Sequence, residues 1–258
     1  MKILEAVNIS KHFGGVTAVK DFSFVIAPGQ TVGIIGPNGA GKTTIFNLIS
    51  GICRPDCGII SLEGREITNL SQDQIARSGI ARTFQNIRLF GGLTIIENIK
   101  VALDSSNRYS FTQAFIHLGG VRKEEGRINN EALDCLKMVG LQSHAYDKPD
   151  NLPYGLQRKL EIARALALKP KVLLLDEPAA GLNSEEMIDL EEFIKEIRAK
   201  FGLSIIIIEH RMHVIMELCQ WIYVQDFGLS IAEGSPEDIQ VNPRVLEAYL
   251  GERKECLL

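Results

Sequence analysis

The spacing of apolar residues changes along this chain, and each change marks a different kind of element. Three runs are continuously apolar: "TVGIIG" (Thr31 to Gly36), "KVLLLD" (Lys171 to Asp176) and "LSIIIIE" (Leu203 to Glu209). Strands of that kind suit a parallel sheet buried on both faces. Near the N-terminus, "ILEAVNISKHF", "VKDFSFVI" and "GIISLEG" are shorter, alternate in and out, and are separated by Gly, Pro or Asp. They predict an antiparallel sheet edge. Elsewhere the spacing is helical. After Asn183 or Ser184 as N-cap, Met187, Leu190, Ile194, Ile197 and Phe201 recur at intervals of three and four, and Gly202 closes the helix. Helical signals also run from about Asn86 to Leu168, with Ile128, Ala132, Cys135, Leu136 and Val139 on one face before Gly140. Within that region Ser105 to Arg127 is poorly patterned and holds a solvated charge run, "RKEEGR". The expected fold class is therefore α/β. Residues 1–85 and 169–258 form a core with an antiparallel part, and residues 86–168 form an inserted helical subdomain.

Composition narrows the function. The 258 residues are 45% hydrophobic, enough to bury a sizeable core. A net charge of −4 argues against broad nucleic-acid binding, which needs a basic face. Five cysteines spread along the chain make no disulfide framework. Cys53 and Cys57 in "CRPDC" lack a second pair at ligand spacing and read as reduced thiols. "MKILEAVNIS" lacks the apolar core of a signal peptide, and the longest apolar runs fall far short of the roughly 20 residues that span a bilayer. The expectation is a cytoplasmic protein that reaches a membrane only through a partner.

Two stretches carry chemistry. "GPNGAGKTT" (Gly36, Pro37, Asn38, Gly39, Ala40, Gly41, Lys42, Thr43, Thr44) matches G-x-x-x-x-G-K-[ST] between an expected strand and an expected helix. Small residues let successive amides turn toward phosphates, and the helix N-terminus adds partial positive charge. Lys42 would reach the β- and γ-phosphates and Thr43 would offer a hydroxyl to Mg²⁺. "VLLLDEP" ends a buried strand with adjacent carboxylates, which strand alternation sends to different sides. Asp176 would hold the metal, and Glu177 would act as general base on the attacking water.

With these motifs, "RTFQNIRLF" and "IIIIEHRM" make the chain resemble the ATP-binding subunits of ABC transporters from about Ile3 to Glu252. The resemblance implies an ATPase that closes as a dimer around two ATP molecules. It assigns Gln85 to metal and water contact and to sensing a membrane partner, His210 to the γ-phosphate, and Phe13 to stacking on adenine. "LPYGLQ" then corresponds to the family signature, usually Leu-Ser-Gly-Gly-Gln, which grips ATP held by the other subunit. Pro153 replaces the serine and Tyr154 the first glycine, while Gly155 and Gln157 remain. Asn183 stands where the family usually has an aspartate at the dimer interface. These departures, with "GIARTFQNIRLFGGLTIIENIKVAL", are similar to the branched-chain amino acid importers.

The implied cofactors are ATP and Mg²⁺. The implied partners are integral-membrane permease subunits, a second ATP-binding subunit (identical or sibling) and, indirectly, a substrate-binding protein, with no nucleic acid. The chain would lie peripherally on the inner face of the cell membrane, the apolar stretch Gln85 to Leu93 lining a groove for a permease helix. Rival readings are a lipid or lipopolysaccharide exporter subunit, a soluble ABC ATPase of DNA repair or translation, and a P-loop kinase. His213 reads as a surface or packing histidine, and Trp221 as core.

Overall fold

A computed structural model of the chain describes residues 1–106 and 121–250. The main sheet has six strands: β3 (Thr31–Ile35), β6 (Ile80–Arg82), β7 (Val172–Asp176), β8 (Ser204–Ile208), β9 (Trp221–Asp226) and β10 (Leu229–Gly234). Their order is β10-β9-β3-β8-β7-β6. All neighbours are parallel except the β9–β10 hairpin. A second sheet of four antiparallel strands, β1 (Leu4–Phe13), β2 (Val16–Ile26), β4 (Cys57–Leu62) and β5 (Arg65–Glu66), runs in the order β2-β1-β4-β5. The N-terminal strands thus form a separate layer rather than an edge of the main sheet. Their alternating pattern covers one side of the parallel sheet without joining its hydrogen-bond ladder.

The continuous apolar runs find both faces occupied. Leu173, Leu175, Ile205 and Ile207 point into one core, shared with Ile99, Leu136, Leu160, Ile194 and Ile197. Their neighbours Val172, Leu174, Ile206 and Ile208 point into the other, against Phe46 and Ile49 and against Leu4, Ile9, Phe22 and Phe24 of the antiparallel layer. A period of two with both sets apolar is what a doubly covered strand requires. Trp221 packs against the second core, as expected.

The helices Ile95–Ser106, Val121–Met138 and Tyr154–Leu166 lie in the region expected to be helical, but residues 86–93 are a loop. Thr94 stops the loop by exchanging hydrogen bonds with Glu97. Ala132, Leu136 and Val139 are buried, with Ile128 and Cys135 packed beside them. Residues 107–120, the centre of the poorly patterned stretch, lie outside the described residues. Helix Ser184–Phe201 starts at Asn183, which forms a reciprocal capping box with Glu186, and ends at Gly202 with φ 62°. Phe201 departs from its expected face: it is exposed, with the Lys200 ammonium over its ring.

Candidate functional site

The topology decides which residues meet. β3, β8, β7 and β6 are consecutive neighbours, so the segments leaving their C-terminal ends lie side by side. Those segments carry Gly36–Thr44, Glu209–His210, Asp176–Glu177 and Thr83–Gln85. In parallel α/β sheets, ligands bind at that end of the strands.

After β3 the chain turns through Gly36 (φ 149°), Gly39 (φ 82°) and Gly41 (φ 101°) into helix Lys42–Ile49. A Cβ at Gly36 would collide with the Gln225 carbonyl, and one at Gly41 with that of Ala18. Only glycine fits at either position. Lys42 is buried, and its ammonium donates to the carbonyls of Gly36 (2.7 Å) and Pro37 (2.8 Å). That uses two of its three N–H groups and leaves one for an anion. Burial lowers the Lys42 pKa, while the Glu177 and Asp176 carboxylates oppose that shift. Both carboxylates therefore act on the same ammonium.

Asp176 and Glu177 nonetheless have separate partners. Asp176 ends β7 and accepts from Arg82 Nη2 at 2.7 Å. Arg82 also donates to Asn47 (2.8 Å) and Ser50 (3.1 Å), tying the phosphate-loop helix to β7. Glu177 leaves the strand with φ 47°, a conformation that non-glycine residues seldom adopt. Its Oε2 accepts from Gln85 Nε2 at 2.7 Å, and His210 Nε2 lies 2.8 Å from the same oxygen. Glu177 also lines the phosphate-loop cavity. Thr43, Asp176 and Gln85 would offer Mg²⁺ an all-oxygen donor set of the type it prefers.

The sequence reading missed several residues that hold this arrangement. Glu209 is buried, accepts from the Ala179 amide at 2.8 Å, and takes the amides of His210 and Arg211 on its other oxygen. Arg158, wholly buried, donates to the carbonyls of Phe84 and Gln85, both at 2.8 Å, and to Glu161 at 2.8 Å. Glu161 also accepts the Arg88 amide. Burial pushes the Glu161 carboxyl up, with the Arg158 guanidinium pulling against it. Arg158 had a sequence signal: an arginine on the apolar face of a helix is rarely buried without fixed acceptors.

The turn opening helix Tyr154–Leu166 lies apart from the phosphate-loop cavity. Pro153 is its N-cap, not part of its first turn, and its carbonyl accepts from the amides of Leu156 and Gln157. The amides of Tyr154 and Gly155 precede these bonds and lie at the positive end of the helix. Counted from Leu152, the fifth signature place falls on Leu156. Gln157 lies one place beyond, and its side chain donates back to the Leu152 carbonyl at 2.9 Å. That bond braces the turn and uses one of the two N–H groups of the side-chain amide. Asn183, likewise, spends its side-chain oxygen on the Glu186 amide at 2.9 Å.

The cavity before the phosphate loop is lined by Asn38 to Thr44, Glu177, Val16, Thr17, Ala18 and Phe227. Phe13 is half exposed, with the Lys11 ammonium 5.6 Å from its ring centre, and is not part of this lining. Burial pushes up the phenol of Tyr249, in helix Pro243–Leu250, with the Gly36 amide opposing that shift. His213 is exposed, as expected, and no cluster of metal-ligating side chains occurs among the described residues.

The ABC transporter family model matches residues 19–180, and a model of the branched-chain amino acid ATP-binding cassette transporters matches residues 231–255. The chain is 42% identical over 250 residues to the high-affinity branched-chain amino acid transport ATP-binding protein LivG of Salmonella typhimurium, covering 96% of this chain and 98% of that one. The solved ADP conformation of MJ1267, an ATP-binding cassette of an ABC transporter, matches with a TM-score of 0.85 at 32% identity, covering 98% of this chain and all of the other. The dimeric post-hydrolysis structure of the cassette MJ0796, bound to ADP and Pi, matches with a TM-score of 0.76 at 26% identity over 91% of this chain and 99% of that one.

Proposed function

The chain belongs to the ABC transporter family, as an ATP-binding and hydrolysing subunit, and from that premise we propose how its residues power the import of branched-chain amino acids. One observation carries the catalytic reading: Gln85 and His210 converge on one oxygen of Glu177 beside the phosphate loop. Two donors on Oε2 fix the carboxylate and direct Oε1 toward a water on the γ-phosphate. Glu177 takes the proton as that water attacks phosphorus and the bond to ADP breaks. The loop amides and the third N–H of Lys42 hold the phosphates. Mg²⁺, held by Thr43 and Asp176 with Gln85, would neutralise charge between the β- and γ-phosphates. Arg82 keeps Asp176 in place for that role.

The amides of Tyr154 and Gly155 do not line their own chain's cavity, which supports a second ATP-binding subunit, identical or sibling, meeting them across a dimer interface. Asn183 would face that interface with its side-chain NH₂, because its oxygen serves the cap. Residues 86–168 would act as the subdomain that receives the permease. The supporting feature is a groove lined by Phe84, Arg88, Phe90, Val101, Arg164 and Leu168. No helix among the described residues is long and apolar enough to cross a bilayer, and on this reading permease subunits would form the passage. The import reading, over lipid export, rests on the match at residues 231–255 and on the relative at 42% identity.

Co-expression with candidate permease and binding-protein subunits tests this. Leucine, isoleucine or valine should stimulate ATP turnover of the reconstituted complex, and a photocrosslinker at Phe90 should capture the permease. Stimulation by lipid alone, or crosslinks confined to the opposite face, would overturn the assignment.

A further inference from the structure

Beyond the phosphate-binding residues, the cavity lining includes apolar members: Val16, Ala18 and Phe227. Phe227 is the most unusual of them. Asp226 pairs with Leu229, so Phe227 and Gly228 alone form the β9–β10 turn. Their φ values are 42° and 80°. A two-residue turn with both φ positive favours Asn-Gly, because asparagine tolerates the left-handed region and phenylalanine does not. The ring is also 84% exposed. Neither turn chemistry nor core packing therefore explains a phenylalanine here. Strain retained at an exposed position points to function.

The backbone of the hairpin tip is also tied to the phosphate loop. The Gly228 amide donates to the Ala40 carbonyl at 3.0 Å, and the Lys20 amide donates to the Gly228 carbonyl at 2.8 Å. The hairpin tip is thus bonded both to the phosphate loop and to β2, beside Thr17 and Ala18. A nucleotide has a charged tail and a flat aromatic base, and this lining offers a partner for each.

We propose that Phe227 forms a wall of the nucleotide-base subsite, holding the adenine ring by stacking or edge contact while the phosphates lie on the loop to which its turn is bonded. The inference rests on the ATPase reading. It assigns base contact to a residue that lines the cavity, in addition to Phe13, which does not.

The test compares the parent chain with Phe227→Asn and Phe227→Tyr, titrating each with ATP and with inorganic tripolyphosphate in the presence of Mg²⁺. Phe227→Asn should weaken ATP binding by on the order of tenfold, the loss expected of one base–aromatic contact, and leave tripolyphosphate affinity unchanged. Its melting temperature should rise, because asparagine relieves the turn. Phe227→Tyr should bind ATP like the parent. ATP affinity within twofold of the parent for Phe227→Asn would overturn the proposal. Equal weakening toward ATP and tripolyphosphate would also overturn it, by showing that residue 227 acts only through the loop at Ala40. A parent chain that failed to bind ATP would instead sink the ATPase reading itself.

Discussion

Two helix N-termini in this molecule are suited to phosphate, and they differ in how much of a site each one carries. At Gly36–Thr44 the strand end, the glycine turns and the first helical turn lie within nine consecutive residues, and Lys42 adds a full charge. Asp176, Glu177, Gln85 and His210 are gathered beside it from neighbouring strand ends. At Leu152–Gln157 only the helix start remains. No lysine and no serine or threonine hydroxyl supplement the amides, and the linings of the phosphate-loop cavity and of the groove at Phe84 and Leu168 do not include them. On the proposed reading the first site binds by itself, and the second would add a few hydrogen bonds to a ligand already held elsewhere. A dimer that opens and closes around the nucleotide would need that asymmetry, since the second contact must be weak enough to release.

Variants can break each side of this comparison in turn. The largest effect should come from Glu177→Gln, which keeps both helix starts and removes the base. Steady-state hydrolysis should fall by about 10²–10⁴-fold, while ATP affinity is retained and an ATP-bound dimer accumulates. Parental turnover would remove Glu177 from the base role. Lys42→Ala breaks the stronger site. Losing charge-assisted bonds to two phosphates should weaken ATP binding by at least about a hundredfold, as a fluorescent ATP analogue would report.

Gly155→Asp breaks the weaker site and should act only between subunits. A carboxylate there would oppose the γ-phosphate, so sedimentation of the Glu177→Gln background with ATP should show monomer, while ATP binding to the single chain persists. Its Cβ would also stand 3.1 Å from Glu186, so the melting curve must be recorded alongside. A variant that still dimerised would make this turn an ordinary helix start. The smallest effect is expected from Pro153→Ser, which moves the weak site toward the usual signature. The hydroxyl would donate to a γ-phosphate oxygen, a bond of about 1.5–3 kcal/mol, against about 0.4–1 kcal/mol for the lost rigidity of proline. At the N-cap the same oxygen can accept from its own helix amides, which favours the helix. ATP-dependent dimerisation should tighten several-fold and show no change with ADP.

The sequence alone determined the elements whose cause is local. The phosphate loop is legible because its requirements are steric and consecutive: glycines where a Cβ would meet Gln225 or Ala18, then a helix start. The parallel strands are legible because burial on both faces leaves no polar position between Val172 and Leu175 or between Ile205 and Ile208. The signature turn is expected at Leu152–Gln157, where counting places Gln157 one position beyond the fifth signature place, and only the contact with Leu152 reveals which way that side chain points. What tertiary structure decided was pairing over distance. Arg82 reaches Asp176 across 94 positions, and Arg158 reaches Gln85 across 73. Phe227 reaches the cavity only because a hairpin tip bonds to Ala40. Periodicity reports which face of an element is buried, since burial depends on neighbours along the same helix or strand. It carries nothing about which distant acceptor a buried guanidinium meets, because that is fixed by the order of strands in the sheet.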